Sequence, residues 1–389
     1  GDDINGGMSK KFYEYKKMVW ANQLSYKMSI AADHHLDALA GYEIDDQYRD
    51  YLSGYATNFA TYDKNQISNG MKTESVGGSD TRTRMVSYLF RLNYDYKNKY
   101  YLGGSFRMDG SSRFLKDNRW GSFWSISAAW RVIEESFMDS VKDWLTDLKI
   151  RASYGVNGTL PTDYFGYRGL SSLTNGYLEQ PGIIQSQLKN DDLQWETNYN
   201  LNLGLDFSLW NRLNVTLEYY TRTTKNLLMD RPISMTTGFG SYLMNIGKVS
   251  NKGVELEINS TNIRTKDFEW TSDFTFSLYR DNWKERIDSW VPSAWESYDG
   301  PMRYYSGYVS DGLVQPGEDV PWMINALPGQ VKIKDINGFV YNEDGSYKVD
   351  EHGIPLKTGK PDGKLDDADK VVYGRKDPGF MLGLNNTLR

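Results

Sequence analysis

Cysteine is absent from the 389 residues, which excludes disulfide scaffolding, thiol catalysis and cysteine-ligated zinc. Only three histidines are present (His34, His35 and His352), too few for an imidazole metal cage and a poor basis for a histidine triad. No run approaches the roughly 18 apolar residues that a membrane-spanning helix needs. Basic residues are not in excess either. Lys and Arg number 45 against 51 Asp and Glu, a formal charge of −6, so no nucleic-acid footprint exists. What is abundant is Tyr (29), Trp (12) and Gly (36), a composition that suits β structure with one wet and one greasy face. The opening Gly1-Asp2-Asp3 carries neither an initiator methionine nor a signal peptide and reads as part of a longer chain.

Alternation is the organising pattern. From Asn198 to Leu209, Tyr199, Leu201, Leu203, Leu205, Phe207 and Leu209 share one parity, against Asn198, Asn200, Asn202, Gly204, Asp206 and Ser208. Successive strand side chains point to opposite faces, so one face is apolar and the other polar. After Trp210-Asn211 the rule repeats, with Leu213, Val215, Leu217 and Tyr219 opposing Asn214, Thr216, Glu218 and Tyr220. The same template fits stretches near Leu24–Ile30, Leu36–Tyr42, Val86–Asp95, Leu102–Asp109, Trp124–Arg131, Leu148–Gly155, Val254–Asn259 and Trp270–Tyr279. Another begins at Phe380, giving about eleven strands in all.

Any antiparallel sheet with one solvated face shows period two. Three features favour a transmembrane antiparallel β-barrel. Several strands run to about ten residues, the length a tilted strand needs to cross an apolar band about 25 Å tall. Connections alternate short (Asp33-His34, Lys97 to Lys99, Trp210-Asn211, Thr261 to Phe268) and long (Asp45 to Thr83, Val156 to Trp195, Arg222 to Lys248, Asp281 to Pro378). The link from Val132 to Leu148 is longer and looks helical. Aromatics gather at the short-turn ends: Tyr94, Tyr96, Tyr100, Tyr101, Trp210 and Trp270. None of the outward positions is charged. Arg91, Arg107, Arg131, Arg151, Glu218, Glu255 and Glu257 all take the inward parity.

The block Arg107-Met108-Asp109-Gly110-Ser111-Ser112-Arg113-Phe114 with Asn118 to Phe123 resembles the SusC/RagA class of TonB-dependent outer-membrane transporters of Bacteroidetes. The resemblance continues through Leu148 to Gly158, Asp192 to Thr197, Asn202 to Phe207, Asn251 to Glu257 and Asp377 to Phe380. It implies a plugged barrel of about 22 strands. It also implies import of glycan fragments or peptides, energy delivered through TonB, and a SusD-like surface lipoprotein acting as a lid. On that reading, residues 1–389 are a partial, later portion of the barrel lying in outer-membrane lipid, with 281–377 as a long extracellular loop region. A plug domain and a TonB-contacting segment are not recognisable in it. Two other readings compete: a cell-surface glycan-binding or adhesion protein, and an extracellular glycoside hydrolase.

Two segments carry candidate sites. In the loop around Trp283 to Trp322, Trp290, Trp295, Tyr298, Tyr305 and Trp322 could stack on substrate or meet the lid, or simply pack the loop. Lys334 to Gly338 and Pro361 to Asp369 together resemble a split calcium loop. Its ligands would be Asp335, Asn337, Asp362 and Asp369, with the Lys364 carbonyl. The alternative is a solvated Asp/Gly turn. Glu218, Glu255 and Glu257 suit a polar lumen better than a glycosidase pair, so no enzymatic activity is expected.

Overall fold

The computed structural model describes residues 6–31, 33–60, 66–175, 181–287 and 290–389. Eleven strands form one sheet, each neighbouring the next member along the chain. They are Gly7–Ile30, His34–Phe59, Gly70–Tyr96, Tyr100–Ser111, Trp120–Arg131, Leu145–Thr159, Glu196–Leu209, Leu213–Lys225, Lys248–Arg264, Glu269–Glu285 and Met381–Leu388. The chain forms two compact units: residues 1–97, 102–126 and 157–195, and residues 98–101, 127–156 and 196–389.

In the second unit the alternation has the expected consequence. Arg151 donates from Nε to Asp206 at 3.1 Å and from Nη2 to Glu218 at 2.9 Å. Asn202 donates to Ser153, Arg222 to Asn200 and Thr224 to Asn198 on the same parity. The polar face therefore satisfies itself across strands. On the other parity Leu203 stays exposed. An apolar side chain left open there suits a lipid-covered surface.

The tight turns also have a local cause. Trp210 and Asn211 sit at φ 52° and 54°, and Lys97 and Asn98 at 55° and 52°. Two consecutive left-handed residues match the right-handed twist of paired strands, and Asn tolerates that region well. The link after Arg131 consists of the short 3-10 turns Val132–Glu134 and Ser136–Val141, in keeping with its helical look.

The first unit departs from expectation in strand length. Asp45 to Thr83 is not a long loop. The pairing of His34–Phe59 with Gly70–Tyr96 runs unbroken from Tyr96 to Ser75, and Gly7–Ile30 pairs with His34–Phe59 along its whole length. The apolar alternation that identifies a lipid-facing strand stops near Ile44, while backbone pairing does not need it. Beyond that level both faces meet water, so Asp46, Gln47, Arg49 and Asp50 conceal the strand from a hydrophobicity template.

The band left between these levels has a measurable height. On the outward parity Trp20, Tyr42, Tyr88 and Trp120 form a continuous aromatic row across four strands, with successive ring centroids 5.9, 5.2 and 6.0 Å apart. Just above it Asp46 accepts from Arg82 at 2.8 and 2.6 Å and from Arg84 at 2.9 Å. At the short-turn end His34 lies 2.7 Å from the Tyr94 hydroxyl and stacks on Tyr96. Eight residues separate Tyr88 from Tyr96 and Tyr42 from His34. At about 3.3 Å per residue and a tilt near 40° that is about 20 Å, close to an outer-membrane apolar band between aromatic girdles.

The region 281–377 is folded. Tyr304–Tyr308 pairs with Lys370–Arg375, and Ser310–Leu313 with Val331–Ile333.

Candidate functional site

The five aromatic residues expected to meet substrate or lid do not form one open surface. Arg286 sits over the rings of Trp283 and Trp290 at 4.8 and 4.4 Å and donates to the Tyr298 and Ser297 carbonyls at 3.0 Å each. Trp290 meets Tyr298 edge-on, and Tyr298 stacks on His352 at 3.9 Å. Trp295 is half-buried beneath Lys370 at 4.6 Å, and Trp322 Nε1 donates to the Ile333 carbonyl at 2.8 Å. Trp290, Trp295, Tyr298 and Trp322 are thus each held by contacts within the loop. Tyr305, 58% exposed, is the member of the five that presents an open ring.

The acidic segment closes as a loop but on its own main chain. Asp335 accepts from the Asp362 and Gly363 amides at 3.3 and 2.7 Å. Asp369, fully buried, accepts from the Ile336, Asn337 and Asp366 amides at 2.8, 3.1 and 3.0 Å. The intervening chain leaves and returns through Val340 to Leu356 and Thr358 to Gly338 amide–carbonyl bonds. Asp362 turns back to the Lys364 amide at 3.0 Å. Among the described residues no three His, Cys, Asp or Glu side chains converge as metal ligands. The spacing brings Asp335, Asn337, Asp362 and Asp369 into one segment, in which the Asp335 and Asp369 carboxylates order the main chain through its amides.

Of the inward glutamates, Glu218 is bound to Arg151, and Glu257 accepts from Asn259 at 2.9 Å. Both are part of the polar lining.

A site that the sequence reading missed lies above the girdle on the inward parity of the three long strands. Tyr13 stands directly across from Tyr51, and Tyr51 across from Ser79; Arg49 stands across from Tyr15 and Thr81. The Tyr13 and Tyr51 rings are 4.9 Å apart and tilted by 30°, with the Arg49 guanidinium 5.2 Å from the Tyr13 centroid. Ser79, Thr81 and Tyr164 complete an open cavity of about 250 Å³. Tyr13 keeps 52% of its surface exposed.

Tyr164 is placed by the Asp109 to Phe114 block. Ser111 and Ser112 amides donate to the Arg119 and Arg84 carbonyls at 3.1 and 2.9 Å, which fixes the chain after its strand. Arg113 then donates to the Pro161 carbonyl at 2.7 Å and covers the Tyr164 ring at 4.4 Å. Beneath it Phe114 and Leu193 are fully buried, with Trp195 packed against Phe114 and Phe123. Gly158 and Gly121 lie under Phe123, where a Cβ would come within 2.2 and 2.5 Å of the ring. The Asp109 to Phe114 block thus supports one wall of the cavity. The missed signal was the inward parity of Tyr13, Tyr15, Arg49 and Tyr51, hidden because the outward parity there mixes Phe12, Met18 and Leu52 with Glu14, Lys16, Asp46 and Asp50.

Two other inward cations of this unit are paired. Lys17 meets Asp45 at 3.0 Å, and Arg107 meets Asp109 at 2.7 Å and Glu43 at 3.8 Å. Arg49 and Lys11, which share the Tyr13 face, have no carboxylate partner among the described residues.

Comparison with known proteins gives a consistent result. Residues 4–333 match the family described as TonB dependent receptor-like, beta-barrel. TonB-dependent receptor P26 of Formosa agariphila is 37% identical over 384 residues, covering 94% of this chain and 37% of the relative. TonB-dependent receptor SusC of Bacteroides thetaiotaomicron is 32% identical over 324 residues, 79% of this chain and 30% of the relative. The solved RagAB peptide transporter superposes with a TM-score of 0.79 at 22% identity, over 98% of this chain and 40% of that one. The chain spans less than half the length of these relatives.

Proposed function

Because this chain belongs to the TonB-dependent receptor-like β-barrel family, we propose that it is barrel wall from an outer-membrane nutrient importer of Bacteroidetes type. The whole protein takes up glycan oligosaccharides or peptides. TonB supplies energy through a part of the protein outside this chain, and a SusD-like lipoprotein closes the outer opening.

The observation that carries this reading is the band between the aromatic rows. It is apolar outward and polar inward, and its height matches the outer membrane. A surface adhesion protein has no use for such a band. The inward cavity at Tyr13 and Arg49 then lies where a solute would pass on its way to the lumen.

The test uses the full-length protein in its host. Uptake of nutrient should depend on this gene, on the lipoprotein and on the inner-membrane proton gradient. Uptake that persists when the gradient is collapsed would contradict energised import.

A further inference from the structure

We propose that the inward face carrying Tyr13, Arg49 and Tyr51 is a subsite for an acidic sugar unit, with Arg49 as its selectivity residue. This rests on the import reading and narrows it to saccharides bearing a carboxylate or a sulfate ester.

Tyr13 lies seven residues beyond Trp20 on the same strand, about 18 Å above the outer girdle at the usual rise and tilt. A solute meets it outside the membrane, before the lumen.

The chemistry of the lining follows. The exposed Tyr13 face and the neighbouring Tyr51 ring give flat apolar surfaces on which the C–H face of a pyranose can lie. Ser79, Thr81 and the phenols supply small hydroxyls that donate and accept, which suits sugar hydroxyls. Arg49 lies against Tyr13, so its orientation is held by the ring while its N–H groups stay open. A planar guanidinium without a protein carboxylate binds a carboxylate or sulfate in two parallel hydrogen bonds. Lys11, two residues from Tyr13 on the same face, adds a second cation without a partner among the described residues. Lys17 and Arg107 below it on this wall are paired.

Main-chain pairing with a peptide is unavailable to the strand that carries Arg49 and Tyr51. The strand bearing Arg49 and Tyr51 is hydrogen-bonded on both sides, so it has no free edge to which a peptide strand could add. That strand meets a ligand through its side chains, and rings, hydroxyls and a guanidinium without a carboxylate partner among the described residues suit a saccharide. At about 250 Å³ the cavity falls below the roughly 300 Å³ at which sites for drug-sized ligands begin, so it takes one unit of a longer chain.

The experiment uses the full-length importer with its lipoprotein in lipid nanodiscs. Three probe sets are titrated: oligogalacturonates and sulfated galactan oligomers, their carboxyl-reduced or desulfated counterparts, and a mixed tetrapeptide library. Acidic saccharides should bind about tenfold or more tightly than their neutral counterparts. Arg49→Gln should remove that preference, Arg49→Lys should keep part of it, and Tyr51→Ala should weaken acidic and neutral saccharides alike. Heat-modifiable migration of each variant controls for folding. Equal binding of neutral and acidic probes, an unchanged preference in Arg49→Gln, or binding by no acidic saccharide overturns the proposal. Peptide uptake that still needs the lipoprotein and the proton gradient would overturn it while leaving import intact.

Discussion

Gly204 is the floor on which Arg151 lies: a Cβ at position 204 would come within 2.5 Å of the Arg151 guanidinium carbon. The strand Glu196–Leu209 therefore needs glycine at that point for steric reasons, and Arg151 uses the space to reach both Asp206 and Glu218. Gly204→Ala should displace the guanidinium and cost about 1 to 3 kcal/mol through lost charged hydrogen bonds. In an Arg151→Ala background the same substitution should be nearly neutral, because the clash has gone. Thermal unfolding of the four variants of the double-mutant cycle measures this. A full cost in both backgrounds would show that the glycine serves something other than Arg151.

The two aromatic rows make a depth prediction. Leu92 lies on the outward parity midway between Tyr88 and Tyr96. Leu92→Arg should cost about 2 to 4 kcal/mol on folding into lipid, and Tyr88→Arg about 0 to 1. Equilibrium refolding of the full-length protein into vesicles reads both. Equal costs would remove the placement of the membrane between the rows.

Why one part of this was legible in the sequence and another was not has a single physical cause. Lipid imposes a one-sided apolar rule, so the Asn198 to Leu209 alternation could be read directly, and Arg151 and Asn202 do lie on the polar side. Above the membrane the rule lapses, and the strand continuing through Arg49 and Tyr51 looked like loop. Aromatic residues were also an ambiguous guide. Trp290 and Trp295 cluster in sequence but are consumed by Arg286 and Lys370. Tyr13 and Tyr51, 38 residues apart, meet only because strand register aligns them. Register is set by pairing over the whole strand and cannot be read from a short window.

The acidic segment gives a prediction about what holds it. Asp369 satisfies three main-chain amides in a fully buried position, so Asp369→Ala leaves donors without partners. The expected cost is about 1 to 3 kcal/mol per stranded donor, seen as faster proteolysis between Asp335 and Asp369. Chelation of divalent ions should leave the wild-type cleavage rate unchanged. Loosening by a chelator that calcium alone reverses would instead assign calcium to Asp335, Asn337, Asp362 and Asp369.

The hairpin of Ser310–Leu313 and Val331–Ile333 is tied by an ion pair between Lys332 and Glu318 at 2.8 Å. The Lys332 ammonium, with the Gln315 amide, holds the Glu318 carboxyl below its usual range. The same bond holds Lys332 above its own. A carboxyl so lowered stabilises the fold above its unfolded pKa, about 4.3, and loses that effect as pH falls through the folded value. The raised lysine contributes fully below about 10.4 and loses its effect as pH rises through its folded value. Amide protection factors in residues 310–333, with the intrinsic pH dependence of exchange divided out, should therefore be flat across the neutral range and fall below about pH 4. In Glu318→Gln the acid limb should vanish; its persistence would assign the acid sensitivity to another group.

These 389 residues hold no native cysteine, so, with any cysteine elsewhere in the full-length protein replaced by serine, the lipid-facing parity can be tested position by position from 198 to 209. Single cysteines are introduced and exposed in membranes to a water-soluble maleimide. Positions 200, 202 and 206 should react through the wet lumen, and positions 201, 203, 205 and 207 should be protected until detergent strips the lipid. Uniform labelling, or the opposite alternation, would contradict the barrel wall on which the whole account of import stands.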